Sequence, residues 1–160
     1  MIEIRQSNPA DVELLAPILR DADVLELEAC GKTPQQALEE GLRDSNPAMV
    51  VCEDGKPLAM FGVCPCPDIE EMSGVRFGSI WYLGSDEATK DAKRFMRISR
   101  EWLGRLSEGY DVLGNMVDER NSVHVRWIAA MGFEFTRIHQ KFGPHKLPFL
   151  EFMQTCSGDN

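Results

Sequence analysis

Short apolar runs alternate along this chain with longer segments whose apolar residues recur every three or four positions. Residues 2–5 read as a strand, with Ile2 and Ile4 on one side. Asn8-Pro9 then opens a helix: the Asn side chain accepts from free N–H groups, and proline fills a position whose N–H would be unpaired anyway. Val12, Leu15, Ile18 and Leu19 follow at helical spacing, and Pro17 inside the run should kink or shorten it. Thr33-Pro34-Gln35-Gln36 repeats the start signal as a capping box, and the helix carrying Ala37, Leu38 and Leu42 should end near Asp44.

The runs 49–52 and 58–63 flank Asp54-Gly55, a strong hairpin signal because glycine accepts the positive φ of a tight turn. Residues 64–74, rich in Pro, Asp and Glu, read as a surface loop, and 75–83 as a strand. The best helix lies between about 91 and 108, where Phe95, Ile98, Trp102, Leu103 and Leu106 form one stripe. A strand over 110–117 and a helix over 122–131 follow, the helix stopped by Gly132 where a left-handed residue is wanted. Strands 133–142 and 149–153 surround a turn at 143–148. The strand–helix–strand passage in the second half implies a right-handed crossover and a partly parallel sheet, whereas the hairpins supply antiparallel pairs. The expectation is an α/β domain over residues 1–156, a mixed and mostly antiparallel sheet with helices on both faces, ending in a short tail at 157–160.

Composition narrows the function classes. At 160 residues, with 43% apolar and 27% charged side chains, the chain can bury a core without staples. Its 17 basic and 26 acidic residues give a net charge of −9, which argues against nucleic acid as a partner. There is no apolar run of about 18 residues and no secretory signal, so neither membrane nor export is expected. Five cysteines, an odd number, fit free thiols in a cytoplasm. Cys64-Pro-Cys66 lacks a second ligand pair, and His139 and His145 have no carboxylate or cysteine at ligand spacing, so no metal is expected. Trp81, Trp102 and Trp127 fall on apolar stripes and read as core.

One segment carries more. Asn121, followed at a helix's length by Met131-Gly132-Phe133-Glu134, resembles the GNAT acetyltransferase motif, in which an Asn follows the fifth strand and a short helix ends in Gly-Phe. Trp81-Tyr82-Leu83-Gly84-Ser85, the helix with Arg97, Ser99, Arg100 and Trp102, Asn115-x-Val117-Asp118-x-x-Asn121, Arg126-Trp127 and Leu147-Pro148-Phe149 extend it. Together they are similar to a group of short-tailed phage proteins labelled internal virion protein or acetyltransferase.

The resemblance implies acetyl transfer from acetyl-CoA to an amine, on a small molecule or a protein. The cofactor would lie against Leu83, Gly84, Ser85 and Asn121, with Lys93 and Arg94 on its phosphates. Asp118, Glu28 or His124 would take the proton, and Glu26 stands near Glu28 where that family shapes its acceptor pocket. Against that role, His124 reads first as a polar residue on the exposed side of its helix. Two departures stand out. The family's glycine-rich diphosphate loop is replaced by Gly84-Ser85-Asp86-Glu87-Ala88-Thr89-Lys90-Asp91, whose carboxylates oppose an anion. Ile128 stands where many members place a Tyr acid. The rival expectation is therefore a phage assembly or virion protein that kept the fold and lost the chemistry, working with other virion proteins in the host cytoplasm or the virion.

Overall fold

In the computed structural model, which describes residues 1–156, the apolar alternation builds seven strands. They are β1 (Ile2–Gln6), β2 (Ala48–Glu53), β3 (Lys56–Pro65), β4 (Phe77–Gly84), β5 (Val112–Asp118), β6 (Glu134–Phe142) and β7 (Leu147–Thr155). One sheet holds them in the order β1-β2-β3-β4-β5-β7-β6, antiparallel throughout except for β4 beside β5. The tail expected at 157–160 lies outside the described residues.

Local signals worked where the chemistry was strong. Asn8 caps α1 (Pro9–Leu15) and Thr33 caps α3 (Pro34–Asp44), both as reciprocal capping boxes. Asp54 and Gly55 turn the β2–β3 hairpin with φ of 50° and 81°. Gly132 closes α6 (Ser122–Ala130) at φ 92°, and the Phe133 N–H reaches back to the Ile128 carbonyl at 3.3 Å. Pro17 does end the first helix, in a 3-10 turn over Ala16–Ile18.

Two helices were not expected. α2 (Asp21–Ala29) starts at Arg20, which makes no cap, and spreads its four carboxylates around the axis, so it shows neither start signal nor stripe. α4 (Pro67–Ser73) occupies the tract read as a loop; Pro67 pre-forms its first turn and Gly74 ends it at φ 74°.

The sheet separates two apolar layers. On one face α1 and α3 bury Val12, Leu15 and Leu38 against Val50, Met60 and Leu83. On the other, α5 (Ala92–Leu106) and α6 cover Phe61, Val63, Leu113 and Val117, with Ile128, Phe133 and Phe152. Successive side chains of β4 point to opposite layers, so Trp81 meets α3 while Tyr82 meets α5 and α6.

Candidate functional site

β4 and β5 are paired only over Phe77–Ser79 and Val112–Gly114 and then part. At the fork the Asn115 side chain takes over from the ladder. Its amide donates to the Ile80 carbonyl at 2.8 Å and its oxygen accepts from the Met116 N–H at 2.8 Å. A cavity of about 610 Å³ occupies the parting, lined by Leu27, Trp81 and Phe142 on one face and Phe95, Ile98 and Trp127 on the other.

The far end of the fork is bridged by a carboxylate. Asp23, fully buried in α2, accepts from the Gly84 N–H at 3.2 Å, where β4 ends, and from the Asn121 amide at 3.2 Å, where β5 gives way to α6. Arg20, itself 8% exposed, supplies the counter-charge at 2.7 Å. The Arg20 N–H also bonds the Gly84 carbonyl at 2.9 Å, so both backbone groups of Gly84 are held by this one corner of α2. Asn121 occupies the N-cap position of α6 but makes no cap, and reaches α2 instead. Neither Arg20 nor Asp23 was singled out from sequence; their spacing of three on one helix face was the available sign.

Beside this bridge the α5–α6 side is filled by rings. Trp127 stacks on His124 at 5.1 Å and meets Tyr82 at 5.0 Å and Phe95 at 5.1 Å. His124 is therefore buried, not on the exposed side of its helix. Burial lowers its pKa to about 4, with Asp23 opposing the shift and Arg20 reinforcing it, so it is a neutral imidazole near pH 7. Tyr82 is raised well above its ordinary value by burial and by Asp23.

The expected base candidates have separate surroundings. Asp118 is buried at the end of β5 and gripped by Arg120 at 2.7 Å. Glu28 is exposed on α2. Glu26, one turn from Asp23, accepts from the Asp118 N–H at 2.6 Å and lines the cavity. Burial first, then the charges of Asp23 and Asp118, push its pKa up to about 8, which makes it the carboxyl best poised to exchange a proton near neutrality.

The β4–α5 connection tests the fit of a cofactor diphosphate. That group needs free backbone donors and an open helix N-terminus. Here the Gly84 N–H is committed to Asp23, and the Ser85 N–H to the Leu58 carbonyl at 2.9 Å. The side chain of Asp91 caps α5 itself, accepting from the Arg94 N–H at 3.0 Å. Asp86 and Glu87 are exposed beside it. Lys90 is paired with Glu87, Arg94 turns to Glu53 at 3.4 Å, and Lys93 stays exposed. Leu83 is buried in the α1–α3 layer. The residues present do not fit a diphosphate.

No protein-family model matches the chain. It is 25% identical over 151 residues to the "Probable scaffold protein gp13" of Escherichia phage T7, covering 92% of this chain and 95% of that one. Among solved structures it is similar to Ard1 from Thermoplasma volcanium, with a TM-score of 0.74 and 15% identity over 98% of this chain and 99% of that one. It is also similar to a GNAT phosphinothricin acetyltransferase from Sinorhizobium meliloti, solved in complex with AcCoA, with a TM-score of 0.73 and 16% identity over 96% and 88%. The chain has the GNAT fold.

Proposed function

We propose that this chain is a phage-encoded GNAT-fold protein that serves in particle assembly and does not use acetyl-CoA. The single observation that carries the reading is Asp23. A buried carboxylate spans the fork from Gly84 to Asn121 and holds the end of β4 in the place where the fold otherwise presents backbone donors to its cofactor. An anion brought to that corner would meet Asp86, Glu87 and Asp91, with the Gly84 and Ser85 N–H groups already committed. The likeness to a T7 protein named for scaffolding supports the same direction. On this reading the partners are other virion proteins, met in the host cytoplasm or the particle.

A second reading, acetyl transfer to a small-molecule or protein amine, is favoured by the parting of β4 and β5 and by Glu26, which titrates near pH 8 beside the cavity. Calorimetry with acetyl-CoA and desulfo-CoA separates the two. Assembly without the cofactor predicts no saturable heat up to roughly millimolar concentration. A saturable isotherm that disappears in Lys93→Glu/Arg94→Glu would replace the first reading with the second.

A further inference from the structure

The two faces of the sheet are covered by helices of opposite charge. From Pro9 to Asp44, the span of α1, α2 and α3, stand nine acids and three bases. α5 and α6 together carry six bases and one acid, in a chain whose net charge is −9. Folding therefore sorts the charge across the sheet, acidic on one side and basic on the other.

Part of that charge is neutralised within the molecule. Arg20 is buried on Asp23, Lys32 pairs with Glu40, Arg94 with Glu53 and Arg105 with Glu101. What remains forms a solvent-facing stripe on each side. On α5, Lys93, Arg97 and Arg100 are exposed at i, i+4 and i+7, and none has an ion-pair partner among the described residues. On α2, Asp21, Leu25 and Glu28 are exposed at the same i, i+4 and i+7, on the side of the helix opposite the buried Asp23. Asp21 and Glu28 likewise have no ion-pair partner among the described residues, and Leu25 between them is 50% exposed. In both stripes the outer charges are one seven-residue step apart, about 10.5 Å along the helix.

We infer that copies of this chain associate head to tail, the α5 stripe of one molecule lying along the α2 stripe of the next. Lys93 and Arg100 meet the two acids, and the aliphatic stem of Arg97 covers Leu25. A second copy is the occupant because the molecule itself carries the complement: the same spacing, the opposite charge and an exposed leucine at the centre. The stripes stand on opposite faces of the sheet, so the contact is heterologous. One stripe stays free at each end, and the contact grows into chains instead of closing as a two-fold dimer. Repulsion between two acidic molecules is screened beyond about 10 Å in about 0.1 M salt, whereas charges in contact still attract. Exposed ion pairs contribute little singly, so the contact is weak and belongs to high protein concentration. It extends the assembly reading without resting on it, since both stripes lie outside the fork.

Sedimentation velocity of the full chain, from roughly 10 μM to roughly 1 mM, tests this. In about 0.1 M salt the weight-average mass should climb with concentration past that of a dimer, and in about 1 M salt it should return to the monomer's. Lys93→Glu/Arg97→Glu/Arg100→Glu should stay monomeric at the lower salt, and so should Asp21→Lys/Glu28→Lys. The second variant is the stricter test, because it lowers the net negative charge and would by itself ease association. An equimolar mixture of the two should associate again, since each supplies the charge the other has lost. All five residues are exposed, so both variants should melt with the parent. Should either melt early, Lys93→Gln/Arg97→Gln/Arg100→Gln and Asp21→Asn/Glu28→Gln take their places with the same expected loss. A monomer's mass at every concentration, association that persists at the higher salt, association unchanged in Asp21→Lys/Glu28→Lys, or a mixture that stays monomeric would overturn the inference. So would a short DNA duplex held on the α5 stripe by a chain that remains monomeric. Acetyl-CoA heat, by contrast, would sink the assembly reading and leave this contact standing.

Discussion

Asp23 and Gly84, 61 residues apart, meet at 3.2 Å inside the sheet's fork, and that contact joins the second helix to the end of the fourth strand. Its stability consequence follows from Arg20. Removing one member of a buried ion pair strands the other, at a cost of about 3–5 kcal/mol, whereas replacing both with apolar residues costs far less. Urea denaturation should therefore show a large loss for Asp23→Ala and a clearly smaller one for Arg20→Met/Asp23→Leu. If Asp23→Ala stays within about 1 kcal/mol of the parent, Asp23 is not the brace described.

Glu26 provides a pH signature. Its pKa in the fold is raised to about 8 from an ordinary 4.5, so the folded chain holds this proton more tightly than the unfolded chain does. The stability this contributes is complete below about pH 4.5 and is lost as pH rises to about 8, on the order of 5 kcal/mol. Glu26→Gln keeps an oxygen for the Asp118 N–H and cannot ionise. The variant should match the parent near pH 4 and become progressively the more stable of the two toward pH 8.5. Parallel stability curves would mean that Glu26 ionises normally.

His124 works in the opposite sense. Burial holds its pKa near 4 instead of 6.5, so the folded chain resists the proton that the unfolded chain accepts. Its contribution is complete above pH 6.5 and is lost as pH falls toward 4, again on the order of 3 kcal/mol. The imidazole ring followed by NMR should titrate near 4, or not before acid unfolding begins. A midpoint near 6.5 would place the ring in water and dissolve the stacking on Trp127.

What was legible in the sequence was what local chemistry dictates. Asn8, Thr33, Asp54-Gly55 and Gly132 each mark their own backbone conformation, and the stripe from Phe95 to Leu106 marks a face. The resemblance anchored at Asn121 and Gly132-Phe133 therefore reached the GNAT fold. The bridge across the fork was not legible, because its members lie in three distant segments. Nothing local to Asp23 says that Gly84 and Asn121 will arrive beside it. For the same reason His124 could be read as exposed: its burial depends on Tyr82, which arrives against the ring from β4.

Gly41 tests the packing that supports the cavity's other wall. A Cβ at this position in α3 would lie 2.6–3.0 Å from atoms of the Trp81 ring, well inside contact distance. The ring cannot simply swing away, because its indole N–H donates to the Ser45 hydroxyl at 2.7 Å. Gly41→Ala gains helix propensity of roughly 1 kcal/mol but forces α3 off the sheet or breaks that hydrogen bond. The clash should win, for a net loss of about 1–2 kcal/mol. Ser45→Ala should cost less by itself and should soften the effect of Gly41→Ala, since the ring is then free to move. Denaturation of the two single variants and the double measures this coupling. Strict additivity would show that Trp81 is not pinned between α3 and Ser45.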